Sequence, residues 1–261
     1  NTYAANVLAN IKLAKVRNYT SMLEMSLFPD YLPTTVISNL VEVVKENIDV
    51  ISEFNALKQE ELGISELHFY DNYVPLVDDV DKKYSYEEAI ELVRTALAPL
   101  GAEYLRKYDA TVRVRVIDVF ESPGKRSGAF SWGSYASRGL IFLNYTEKFS
   151  DVSTFAHEFG HCLHRDYSIE NQPYIYYQNP IFLAEIASTF NEALLFDHMS
   201  KIAESSEEKK FFLYHNMKRI EATFYRQTMF ANFEMDVHEM AESGKVLIAK
   251  SITDIYRKNL E

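Results

Sequence analysis

The sequence predicts a mostly α-helical fold with one small β-sheet, and three observations lead there. Apolar residues recur at helical spacing over long stretches, as at Val36, Leu40, Val43 and Val44 and then Ile48, Ile51 and Phe54. Between Val112 and Tyr145 the pattern changes to two short runs rich in β-branched and aromatic residues, "VRVRVIDVF" and "GLIFLNY". Helix-start signals then resume, at Ser150 or Asp151, at Asn179–Pro180, and at the capping box Ser205 to Glu208.

Taken in order, the apolar period predicts helices over about 3–28 and 34–62, separated by Pro29 and Pro33, with Gly63 capping the second. "HFYDNYVPLVDDVDKKYS" breaks the period and reads as a solvated connection, after which Ser85 starts a helix to about Ala98. "SPGKRSGAFSWGS" separates the two β-type runs. Its "GKRSG" lacks the spacing and following helix of a phosphate loop, so a hairpin turn is expected there. A final long helix should run from Ser205 to about Glu242, before Gly244. The expected division is an N-terminal helical region, 1–75, and a core over 76–261. Residue 1 opens inside an amphipathic pattern and "RKNLE" closes as another helix begins, so the expectation is a segment of a longer protein.

Composition narrows the function classes. The 261 residues are 47% hydrophobic and 25% charged, as in an ordinary globular domain. A net charge of -11 opposes nucleic acid or an anionic membrane as partner, since both need a positive field. The single cysteine, Cys162, rules out an intrachain disulfide and a cysteine zinc cage, and favours a reducing, cytoplasmic setting.

"TFAHEFGHCLHRDY" carries the chemistry. On a helix, His157 and His161 stand one turn apart and about 40° apart around the axis, so both imidazoles can reach one ion. Glu158 lies beside the first of them, placed to take a proton from water rather than to bind the metal. Gly160 costs about 1 kcal/mol in a helix and suits a close approach of another backbone. His164 shares the face but lies a turn too far for the same ion, which leaves it a supporting role.

A catalytic zinc needs a third protein ligand. In "NPIFLAEIASTFNEALLFDH" the early turns are apolar except at Glu185, and a carboxylate there is costly unless paired or bound to metal. Glu185 is therefore the expected third ligand. Ser188 and Glu192 follow on its face and can hold the imidazole N–H groups.

These motifs resemble the oligoendopeptidase F branch of the thimet oligopeptidase family of zinc metallopeptidases. The likeness extends through "YDNYVPLV", "GKRSGAFSWGSY", "LIFLNY", "TFAHEFGHCLH", "NQPYIYYQNPIFLAEIASTFNEALL" and "TFYRQTMFANFE", roughly residues 65 to 240. It implies a zincin-like helical peptidase domain whose small sheet lies next to the zinc-binding helix. It also implies one zinc held by His157, His161 and Glu185, Glu158 as general base, and short peptides as substrates. Gly128, Ala129 and Phe130 would then bind substrate backbone as an added strand. Such enzymes are usually about twice as long, and a later segment with His and Tyr stabilises their tetrahedral intermediate. Losing such a donor costs on the order of 100-fold in rate, so weak turnover is expected of this stretch alone. Two rival readings are a zinc carboxypeptidase, with Arg126, Arg138 or Arg165 holding a free C-terminus, and a domain that binds metal or peptide without full activity.

Overall fold

The computed structural model describes residues 2–77 and 82–260, so positions 78–81 of the acidic connection lie outside the described residues. Among the described residues the chain forms eleven α-helices and one three-stranded sheet, the mostly helical architecture the sequence predicts. It separates into two compact units, one of residues 1–76 with 217–261, the other of 77–216. One boundary falls near residue 76, and 217–261 groups with the N-terminal residues.

In the first unit lie α1 (Thr2–Val16), α2 (Met22–Leu27), α3 (Thr35–Glu46) and α4 (Asp49–Leu62). Each of the two expected long helices is thus a pair. Asn18 takes a left-handed conformation at φ 62 and stops α1. At Asn47 the side chain turns back to donate to the Val43 carbonyl at 2.8 Å, competing with continuation of α3. Gly63 ends α4 at φ 63, the left-handed cap its position predicts. Near the other end of the chain, α10 (Arg226–Glu242) and α11 (Ala249–Leu260) complete this unit, and Val237 of α10 is buried against Val7 and Ile11 of α1.

The second unit begins with α5 (Tyr86–Ala96), capped reciprocally by Ser85 and Glu88, and α6 (Ala102–Arg113). The α6 helix corrects the reading of "VRVRVIDVF" as one strand: its first residues finish a helix, Arg115 turns at φ 53, and only β1 (Ile117–Asp118) is extended in a sheet. After "GKRSG", the rest of "SPGKRSGAFSWGS" contains β2 (Phe130–Trp132). With β3 (Leu140–Phe142) the order is β1-β3-β2, with β1 parallel and β2 antiparallel to β3. The first of the two basic residues of "GKRSG" is spent internally: Lys125 Nζ bonds Asp118 Oδ1 at 3.0 Å and lies 4.5 Å from the centre of the Phe142 ring.

Two long helices follow, α7 (Phe149–Asn171) and α8 (Ile181–Ile202). Asp151, in the first turn of α7, accepts from the Thr146 and Lys148 N–H groups at 2.7 and 3.1 Å. Phe155, Phe159 and Leu163 bury one side of α7 in a core that also takes Phe149, Phe196 and Phe212. These aromatics anchor the helix that carries the histidines, at roughly 1.5–3 kcal/mol for each fully buried large apolar side chain. Beyond α8, α9 (Ser206–Ile220) starts at the expected capping box, with Glu208 N–H on Ser205 Oγ at 3.1 Å. The expected single helix to Glu242 contains a π-helical turn, Glu221–Tyr225, between α9 and α10. No helix among the described residues is long and apolar enough to cross a membrane.

Candidate metal centre

Close packing of α7 on α8 builds the centre. A Cβ added at Gly160 would stand 2.5 Å from the Ser188 Cα and 2.7 Å from the Ala187 carbonyl oxygen, so only glycine allows the two backbones to approach this closely. Asn191 of α8 fastens the same junction, donating to the Ala156 carbonyl on α7 at 3.1 Å.

The approach brings His157, His161 and Glu185 together. The two Nε2 atoms are 3.1 Å apart, and they lie 3.3 and 3.4 Å from Glu185 Oε2. Tetrahedral zinc with bonds of about 2.0–2.1 Å has ligand-to-ligand edges of roughly 3.3–3.4 Å, so the triangle has the size of one face of such a site.

The hydrogens on the rings point the same way. His157 Nδ1 lies 3.0 Å from Glu192 Oε2, and a carboxylate there takes the Nδ1 hydrogen, leaving Nε2 as a lone pair. The His161 ring donates to the Ala184 carbonyl, which leaves its Nε2 in the same state. Two lone pairs and a carboxylate oxygen within van der Waals range repel unless a cation lies between them. The donor set therefore fits a divalent metal of the zinc type, and these three side chains can hold one. Burial lowers His157, but the bond from Glu192 and the charges of Glu192, Glu158 and Glu185 outweigh it and leave its pKa raised. His161 is lowered, by burial first.

Glu158 points to neither ligand as a partner. It is 6% exposed, and its Oε2 is buried with no hydrogen-bond partner. Burial, with the charge of Glu185 adding to it, pushes its carboxyl up to about 7, against the opposing effects of His157 and of the Ser131 backbone N–H. A buried carboxylate oxygen without a partner, with affinity for a proton near neutrality, is equipped to exchange one with water.

The supporting residues divide. Glu192 holds His157 and is itself held by Ser153, whose Oγ donates to Glu192 Oε1 at 3.1 Å. Ser188 Oγ lies 2.8 Å from Glu185 Oε2, so it steadies the carboxylate rather than an imidazole. His164 is outside the donor cluster, and its Nδ1 is buried without a partner. Of the expected substrate strand, Phe130 opens β2 and stacks on Phe142 at 4.7 Å, Ala129 packs on the core, and the Gly128 carbonyl already accepts from Asn144 Nδ2 at 2.8 Å. Sequence reasoning missed Ser153, Ser131 and the Ala184 carbonyl. Ser153 had a signal, being one turn before His157; Ser131 had none, because only the docking of β2 on α7 brings it to Glu158.

Comparison with known proteins gives the family. Oligopeptidase PepF of Bacillus subtilis (strain 168) is 36% identical over 260 residues, covering 98% of this chain and 39% of that protein. An oligoendopeptidase F homolog of Lactococcus lactis subsp. lactis (strain IL1403) is 37% identical over 98% of this chain and 43% of its own length. The chain thus spans about two fifths of the length of these relatives. A crystal structure from Chlamydophila abortus, 41% identical, superposes with a TM-score of 0.88 over 98% of this chain and 43% of that one. The family model described as peptidase family M3 matches residues 1–261, and the chain belongs to that family.

Proposed function

We propose that this chain is the metal-binding and proton-transferring part of a zinc-dependent endopeptidase that cleaves short oligopeptides. The observation that carries the reading is the triangle of His157 Nε2, His161 Nε2 and Glu185 Oε2, with edges of 3.1 to 3.4 Å, beside the unpartnered Glu158 Oε2. Zinc bound there supplies Lewis acidity, polarising a carbonyl and bringing the pKa of a water toward neutrality. Glu158 then takes the proton of the attacking water on its carboxylate and returns it to the leaving amide nitrogen as the C–N bond breaks. Glu192, braced by Ser153, keeps His157 in the tautomer that ligates, and Ser188 keeps Glu185 turned toward the histidines. The oligopeptide preference is carried by the names of the relatives. Gly128, Ala129 and Phe130 are proposed to lead the peptide along β2, the edge strand nearest Glu158. A reducing, cytoplasmic setting is proposed on Cys162, which is buried and free.

The carboxypeptidase reading needs an accessible cation; Arg165 is not one, its side chain being 13% exposed and wedged against Gly133 and Gly139, while Arg126 and Arg138 are exposed. The test is zinc stoichiometry together with hydrolysis of a quenched peptide blocked at both ends, for this chain and for Glu158→Gln. The expected result is one zinc in each, with hydrolysis reduced on the order of 100- to 10,000-fold in the variant. Equal rates would remove Glu158 from the mechanism. Zinc with no turnover in either chain would leave a metal- or peptide-binding domain, and cleavage of unblocked peptides alone would restore the carboxypeptidase.

A further inference from the structure

From Glu158 the polypeptide of β2 and the loop after it runs along α7 toward the helix's C-terminal end. Ser131 has its backbone N–H at Glu158 and its side chain at Cys162. Gly133 lies against the Arg165 guanidinium. Tyr135 then reaches the Gln172 carbonyl with its hydroxyl, at 3.3 Å. There it meets Tyr174 and Tyr177, which follow α7, and the three ring centroids stand 5.3 to 5.8 Å apart.

This cluster is fixed yet open. The buried Tyr177 is tied to α7 by its carbonyl, which accepts from Ser168 Oγ at 2.7 Å. Tyr174 is 68% exposed, and the adjoining Ile175 and Tyr176 are open as well. Rigid aromatic rings with one face in water lose little entropy on contact with another ring and suit recognition. Nothing in the metal centre uses them.

Their distance from Glu158 carries the argument. Ser168 of α7 and Gln172, the residue that caps its C-terminal end, follow Glu158 by 10 and 14 residues, about 15–21 Å at 1.5 Å per residue of helix. A peptide extended along β2 advances about 3.3 Å per residue, so its side chain five or six residues from Glu158 arrives at the tyrosines. We infer that Tyr135, Tyr174 and Tyr177 form a remote subsite for an aromatic side chain of the peptide, five or six residues from the bond that is cleaved. The subsite lets the protein read the length and composition of a peptide well away from the reacting bond. The inference rests on the peptidase reading of the metal centre.

The test uses a blocked peptide of about fourteen residues whose cleavage position by the unaltered chain is mapped by mass spectrometry. A single Trp is moved outward from that bond on either side, and binding of each labelled peptide to the zinc-loaded Glu158→Gln chain is read by fluorescence anisotropy. Kd should fall roughly two- to tenfold when Trp stands at the fifth or sixth place on one side. Tyr174→Ala, at an exposed position, should erase that gain and leave Kd for the Trp-free peptide unchanged. A flat scan, or a gain that survives Tyr174→Ala, overturns the subsite while hydrolysis by the unaltered chain still upholds the peptidase reading. Failure of every peptide to be cleaved or bound overturns both.

Discussion

Gly160 shows how one missing side chain sets the chemistry. Its Cα–H is the space into which α8 packs, and any Cβ would sit 2.5 Å from the Ser188 Cα. Gly160→Ala should gain about 1 kcal/mol of helix propensity and lose more than that, about 1–3 kcal/mol, through overpacking. Because Glu185 rides on α8 and the histidines on α7, the same displacement should weaken zinc binding at least tenfold. Thermal unfolding and zinc titration of the variant read both effects; unchanged zinc affinity would show that the helices can separate there without opening the donor triangle. At this scale the sequence was informative. His157 and His161 share a face by helical period alone; Glu185 stood out as a carboxylate in an apolar run, but that run and Glu185 itself are largely exposed, so the burial cost that singled it out is not what places it. The roles of Ser131 and the Ala184 carbonyl were not legible, because backbone groups look alike in any sequence and act here only through tertiary approach.

For elements, start signals were more readable than stops. Ser85, Ser205 and Gly63 mark helix ends through side-chain or glycine chemistry that is local, and each lies within one residue of the observed boundary. Asn18 and Asn47 end helices without an apolar break, so the period ran straight through them. The α6 helix was hidden because Val112 and Val114 look like strand residues while packing and the pairing of Arg94 with Asp109 favour a helix. That pair joins α5 to α6 in two-pronged fashion, Nε to Oδ1 at 2.8 Å and Nη2 to Oδ2 at 3.1 Å. The bond from Arg94 holds the Asp109 carboxyl below its ordinary value, against the opposing effect of burial and with the charges of Arg94 and Arg113 adding to it. A carboxyl depressed by folding contributes stability that is present above its unfolded value, near 3.9, and lost as pH falls through the folded value. Urea midpoints of this chain and Asp109→Asn should therefore differ most above about pH 5 and converge below it. A difference that grows toward acid would mean that the ion pair does not link α5 to α6 in solution.

At the scale of the molecule, the grouping of residues 217–261 with 1–76 could not be read from local pattern, since it depends on contacts across almost the whole chain. Val237 packs with Val7 and Ile11, and Glu242 Oε1 accepts from the Met22 N–H at 2.7 Å, 220 residues away in sequence. The metal centre, by contrast, draws its described residues from between Ser131 and Glu192, all inside the unit of 77–216. Metal binding to the folded form alone stabilises whatever must unfold to release it, by about 2.7 kcal/mol when zinc stands at 100 times its dissociation constant. Hydrogen exchange should therefore slow in α7 and α8 when zinc is added, by up to about 100-fold for amides that exchange through opening of that unit. Amides near Val7, Ile11 and Val237 should exchange at the same rate with and without zinc, and chelation should reverse the protection. Glu185→Ala should abolish it while leaving the metal-free exchange pattern in place, because the Glu185 carboxylate is largely exposed and packs against little besides Ser188 and the histidines. Equal protection of both units would show that they open together and would sink the assignment of metal-linked stability to 77–216; protection that persists in Glu185→Ala would remove Glu185 from the ligand set.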